Sequence, residues 1–255
     1  MTPRRVLVTR PVREAQRWVD ALRQRGVDAH ALPLLGIEPL ADDSALREVR
    51  ARAGRFDAWM FVSAAAVEHF LDDGMQGSDG PRCWGTGPGT ASALRAAGIP
   101  EARIDVPGPS AGQFDSEALW QIVRPQVRPG SRVLFVRGGD ASGEPAGRDW
   151  LSRQVADAGA QQETVASYRR VAPAWSDEER RMAQAGAQDG TVWLFSSSQA
   201  IANLCTLLPA ADWSGALAVA THPRIAQSAT AAGFGRVATA LGRLDELVAS
   251  IESFQ

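Results

Sequence analysis

Residues 132–138 read RVLFVRG, and residues 5–11 read RVLVTRP. Both carry Arg-Val-Leu-x-x-Arg, an apolar run of strand type that ends on an arginine. Working outward from this pair, the correspondence continues. Trp59-x-Phe61-x-Ser63-x-x-Ala66 returns as Trp193-x-Phe195-x-Ser197-x-x-Ala200, and 85–91, GTGPGTA, is echoed by 220–226, ATHPRIA. Gly98 and Gly233 follow their respective echoes at equal distance. The offsets run from 127 residues (5 to 132) to 135 residues (85 to 220). Three matches in one order mark an internal repeat, which by itself suggests a cut near residue 128.

Each matched run is a short apolar strand followed by a helix start. Residues 57–62, DAWMFV, are continuously apolar, as in a parallel strand buried on both faces. Ser63 then suits the N-cap of a helix over AAAVEHFL. TVWLF at 191–195 with Ser197 repeats the design. Pro11 fits the first helical turn, where no amide partner is lost. Gly26, Gly98, Gly159 and Gly233 are expected to close helices. Turn-rich loops are expected at 74–80, 106–113 and 138–147. Residues 28–39, with Pro33 and Pro39, make a poor central strand and a plausible connector. Strands alternating with helices predict an α/β fold with largely parallel sheets.

Composition narrows the function classes. A chain of 255 residues with 45% hydrophobic and 22% charged content is ordinary globular material, which excludes disorder. A net charge of −2 argues against nucleic acid as a partner. All 27 basic residues are arginine, which removes Schiff-base lysines and the lysine of a phosphate loop. What remains is the guanidinium fork, suited to carboxylates. Cys83 and Cys205 read as buried small hydrophobes, and His30, His69 and His222 are scattered, so neither a disulfide nor a metal site is expected. The first residues lack the apolar core of a signal peptide and no run reaches membrane length. The expectation is a cytoplasmic protein with no membrane partner.

Candidate site residues gather at the strand ends. Gln161–Val171, QQETVASYRRV, holds Tyr168, the only tyrosine of the chain. Read as an unbroken strand, it puts Val165, Ser167 and Arg169 on one face and Thr164, Ala166, Tyr168 and Arg170 on the other. Residues 85–90 are not a dinucleotide fingerprint, because the third glycine comes early and Pro88 interrupts it. Ser63 and Ser197 lack the surroundings of a nucleophile and read as helix caps that could also touch a ligand. Arg10, Arg137 and Arg224 all fall at strand-to-helix junctions, a pattern that favours carboxylate recognition. Two carboxyl edges with positive helix ends would form a cleft for an anionic ligand.

These motifs together resemble the uroporphyrinogen-III synthase family. The resemblance rests on VLVTRP (6–11), FVSAAAV (61–67), GTGPGTASAL (85–94), VLFVRG (133–138), SYRRV (167–171), FSSSQAI (195–201) and THPRIAQSA (221–229). The chain departs from it at His222-Pro223-Arg224-Ile225, where many members carry a Gly-Pro-Thr-like run, and in a longer loop at 138–147. The resemblance implies two similar flavodoxin-like α/β domains with parallel sheets and interleaved topology. The first domain would be 1–38 plus 171–255 and the second 39–165, joined by connector strands at about 28–39 and 161–171.

It further implies cyclisation of hydroxymethylbilane, with inversion of ring D and loss of water, to give uroporphyrinogen III for heme biosynthesis. That reaction involves no redox change, so no cofactor is expected, and no metal. Tyr168 would be catalytic, and Arg10, Ser63, Ala64, Arg137, Ser197, Ser198 and Arg224 would hold the substrate's carboxylates. The expected partners are the tetrapyrrole and, transiently, the preceding pathway enzyme, with the chain itself a monomer. The alternative is a non-catalytic two-domain tetrapyrrole-binding sensor. Tyr168 and the two serine junctions favour the enzyme.

Overall fold

The computed structural model describes residues 4–72, 75, 79–108, 114–240 and 243–254. The loops expected at 74–80 and 106–113 lie partly outside these residues. The N-terminal stretch gives β1 (Arg5–Val8), α1 (Val12–Arg23) and β2 (Asp28–Ala31). Next come β3 (Gly36–Glu38), α2 (Ser44–Ala51), β4 (Ala58–Phe61), α3 (Ala64–Phe70), β5 (Arg82–Gly85) and α4 (Pro88–Ala96). The middle continues through β6 (Ile104–Asp105), α5 (Ser116–Val123), β7 (Arg132–Gly139), α6 (Trp150–Asp157) and β8 (Gln161–Val171). The remainder is α7 (Asp177–Gly186), β9 (Val192–Phe195), α8 (Ser198–Leu207), β10 (Leu217–Ala220), α9 (Pro223–Ala231), β11 (Arg236–Thr239) and α10 (Leu244–Glu252).

The strands form two sheets. One runs β2-β1-β9-β10-β11, the other β8-β7-β4-β5-β6 with β3 beyond β8. Pairing within each of the two five-strand runs is parallel. The repeat explains their likeness. Leu7 lies opposite Trp193, and Leu134, which corresponds to Leu7, lies opposite Trp59, which corresponds to Trp193. Each repeat therefore gives its first two strands to the sheet that holds the other repeat's last three. A cut near residue 128 would separate both pairs. The compact units are Met1–Gly36 with Ala172–Gln255, and Ile37–Val171. Residues 28–39 are divided accordingly, with β2 in one sheet and β3 in the other.

Both faces of each sheet are covered, which is why the strands read as unbroken apolar runs. In the five-stranded unit Val6, Val8, Val192 and Leu194 pack against α1 and α10, while Leu7, Trp193 and Phe195 pack against α7, α8 and α9. In the other unit Trp59, Phe61, Leu134 and Val136 meet α2, α3 and α4, and Met60, Val133 and Phe135 meet α5 and α6. The repeat tryptophans share a tether: Trp59 Nε1 donates to the Ala53 carbonyl at 3.0 Å and Trp193 Nε1 to that of Gly186 at 2.9 Å. Gly26, Gly98, Gly159 and Gly233 all take positive φ just past a helix. The residue after each donates back to the last helical turn, as from Ile99 to Leu94 and from Phe234 to Ala229.

Candidate active site

A parallel sheet of this order opens a crevice where neighbouring strands send their helices to opposite faces, beyond their carboxyl ends. In the first unit that point lies between β1 and β9, since α1 and α8 cover opposite faces. Arg10 and Ser197 follow these strands. In the second unit it lies between β7 and β4, whose helices α6 and α3 again part. There Arg137 lies near the end of β7 and Ser63 follows β4. Four of the residues singled out by sequence thus occupy two matched switch points, one in each unit.

Tyr168 belongs to the second of these. Its ring is buried, with 2% of the residue exposed. It does not lie on the face opposite Val165, as strict alternation predicts: both side chains join one apolar cluster with Val67 and Phe70 of α3. The reason is a bulge. Arg137 pairs with Ala166 and Gly138 with Tyr168, so Ser167 is an extra residue in β8. The Ser167 hydroxyl is occupied by the Ala66 carbonyl, at 3.3 Å. The phenol oxygen lies 3.2 Å from Ser63 Oγ and accepts from Arg170 Nη2 at 3.3 Å. The His69 ring is tilted against the phenol, 5.7 Å between centroids.

Ser63 touches the phenol and also caps α3. Its hydroxyl accepts the Ala66 amide at 3.1 Å, while the amides of Ala64 and Ala65, in the first turn, have no intrahelical acceptor. Arg137, by contrast, is a buried structural cation: it pairs with Asp149 at 3.1 Å and donates to the Arg148 carbonyl at 2.9 Å. Beyond Gly139 the Asp140 carboxylate is held below its usual pKa, first by the Ser142 hydroxyl and then by the amides of Ser142, Glu144 and Gly143. That loop folds Gly143 back against Gly139.

In the first unit Arg10 is bound to Glu14 at 2.9 Å and stacks on the Trp18 ring at 4.3 Å. Ser197 caps α8 through the Gln199 amide at 3.2 Å. Ser228 Oγ donates to the Arg224 carbonyl at 3.0 Å, and Ser198 Oγ, 2.8 Å from Ser228 Oγ, completes the pair with its own hydroxyl proton. This joins the starts of α8 and α9. His222 caps α9, its Nδ1 accepting the Arg224 amide at 3.1 Å. The Arg224 side chain is exposed, and its guanidinium, unlike those of Arg10 and Arg137, has no partner among the described residues.

The residues beside the Tyr168 phenol include two outside the candidate set, Arg170 and Gly138. Arg170 carried a signal, its two-residue spacing from Tyr168 on one strand face. Gly138 carried none beyond its place in a glycine-rich run. Among the described residues no group of three or more His, Cys, Asp or Glu could hold a metal, and no helix is long and apolar enough to cross a membrane.

Two doubly wound parallel sheets, interleaved along the chain, with polar groups at each switch point, define an α/β protein of two flavodoxin-like units. The HEM4 family model, uroporphyrinogen-III synthase HemD, matches residues 16–244, and the chain belongs to that family. It is accordingly a cyclising lyase of porphyrin and heme biosynthesis acting on a tetrapyrrole. Solved structures share the fold. A mutant uroporphyrinogen III synthase of the extreme thermophile Thermus thermophilus is 16% identical, with a TM-score of 0.55 over 98% of this chain and 96% of that one. Uroporphyrinogen-III synthetase of Helicobacter pylori is 14% identical, also at 0.55, over 98% and 100%.

Proposed function

We propose that the chain closes hydroxymethylbilane to uroporphyrinogen III around Tyr168. The observation that carries the reading is the phenol at the second switch point, hydrogen-bonded to Ser63 and Arg170. In this reading the phenol gives its proton to the departing hydroxyl of the substrate, the carbon–oxygen bond breaks, and water leaves. The resulting azafulvene is attacked to form a spiro intermediate, whose fragmentation and reclosure invert ring D. The proton lost when the last ring regains aromaticity returns to the phenolate. Most of the acceleration comes from holding the chain folded for attack.

Arg224, Ser197, Ser198 and the amides that follow Ser63, beginning with Ala64, hold carboxylates of the substrate. Arg10 and Arg137 shape the two switch points, their own guanidinium groups being paired with Glu14 and Asp149. We take the two functional domains to be the two compact units, 1–36 with 172–255 and 37–171, which join in the chain at residues 36–37 and 171–172. The enzyme acts as a cytoplasmic monomer without cofactor and meets the preceding enzyme only transiently.

The test is to supply purified protein with hydroxymethylbilane, oxidise the products and separate the uroporphyrin isomers. The substrate closes unaided to the type I isomer, so predominant type III is the expected result. Type I alone from folded protein would overturn the proposal and leave a tetrapyrrole-binding sensor.

A further inference from the structure

Arg170 is half-buried, and its guanidinium carbon stands 5.5 Å from the centroid of the Tyr168 ring. Its one guanidinium partner among the described residues is the phenol oxygen, 3.3 Å from Nη2. Arg169, next in the chain, turns away and pairs with Glu38 at 2.6 Å. A guanidinium can only donate hydrogen bonds. The phenol oxygen must therefore accept from Arg170, and its single proton has to point elsewhere. Ser63 Oγ, 3.2 Å away, already accepts the Ala66 amide and retains a lone pair. Either oxygen of the Ser63–Tyr168 pair can be the donor, and a phenol proton on the Ser63 side, away from Arg170, is one arrangement that satisfies all three groups.

We propose that Arg170 is a positioning residue for the cyclisation: it fixes the direction in which the Tyr168 phenol presents its proton and balances the phenolate left after transfer. This rests on the assignment of Tyr168 as proton donor. The electron pair of the breaking carbon–oxygen bond leaves with oxygen, the phenol proton completes the water, and the negative charge remains on the phenol oxygen beside Arg170. A charge-assisted hydrogen bond strengthens as that charge develops, so its effect falls on turnover rather than on substrate binding.

The experiment compares kcat and KM for type III formation in the wild type, Arg170→Gln, Arg170→Lys, Tyr168→Phe and the Tyr168→Phe/Arg170→Gln double variant. Circular dichroism checks that each is folded. Because the chain has one tyrosine, 13Cζ-tyrosine labelling gives a single resonance that reports on this phenol alone. Arg170→Gln is expected to lower kcat about tenfold with KM kept, and Arg170→Lys to recover part of the loss. In the Tyr168→Phe background Arg170→Gln should have no further effect. The resonance should move in Arg170→Gln and stay in Arg169→Gln.

A raised KM with unchanged kcat, or an Arg170→Gln loss that persists without the phenol, would make Arg170 a carboxylate ligand and end the proposal. An unmoved resonance would end it too, even where Tyr168→Phe is too slow to measure. Wild-type turnover in Tyr168→Phe would instead remove the underlying assignment. Loss in Tyr168→Phe with full turnover in Arg170→Gln would remove only this one.

Discussion

Gly138 faces Tyr168 across the β7–β8 ladder, and a methyl group at Gly138 would meet the phenol Cζ at 2.5 Å and its oxygen at 2.7 Å. The ring lies over backbone where no side chain fits. Gly138→Ala must push the ring away from Ser63 or shift the strand, a form of overpacking that costs roughly 1–3 kcal/mol. Urea unfolding should show that loss and turnover should fall with it. A variant as stable and as active as the wild type would contradict the close approach.

Tyr168→Phe keeps the ring in its cluster and deletes only the hydroxyl. Stability should change by no more than about 1 kcal/mol, since the partners Ser63 and Arg170 are part-exposed and can turn to water. Turnover should drop by about a hundredfold or more, the range of general acid catalysis. Single-turnover rates of type III formation test this directly.

The matched caps Ser63 and Ser197 separate stability from catalysis. Each alanine substitution removes one cap hydrogen bond and should cost about 1 kcal/mol. Ser63 also touches the phenol, so Ser63→Ala should lower kcat, whereas Ser197→Ala should raise KM. Identical kinetic effects from the two would deny Ser63 a place beside the reacting group.

Cys83 gives the fold an alkaline limit. Burial raises its thiol pKa from 9.0 to about 11, with Arg103 acting in the opposite direction. The folded state therefore retains a proton that the unfolded state releases. The stabilisation is complete below pH 9 and is lost as pH climbs toward 11, about 2–3 kcal/mol across the window. Unfolding free energy should fall more steeply there in the wild type than in Cys83→Ala. Parallel curves would assign the alkaline loss elsewhere.

Much of the fold was legible because its signals are local. The runs DAWMFV and TVWLF are buried strands, Ser63 and Ser197 cap as expected, and the four glycines close helices in the left-handed region. Partner choice was not local. Nothing within RVLVTRP says that Leu7 meets Trp193 rather than Trp59, and only the family resemblance pointed away from a cut at residue 128. The bulge at Ser167 was equally hidden, since one extra residue leaves no mark in an alternating pattern yet moves Val165 and Tyr168 to one face. Arg137 reads in sequence like Arg10 and Arg224. Its burial and its pairing with the exposed Asp149 depend on the fold of the loop that follows Gly139.

The exchange of strands between the repeats also sets a timetable for synthesis. Residues 37–171 emerge from the ribosome as one uninterrupted stretch, holding every strand of their own sheet. β1 and β2 are made before that stretch, but β1 finds its central neighbour only when Val192 has been added, 186 positions after Val6. Until then β1 and β2 are an open-edged strand pair, and closing that long contact is slow. The nascent enzyme thus completes its inserted unit before the discontinuous unit that flanks it.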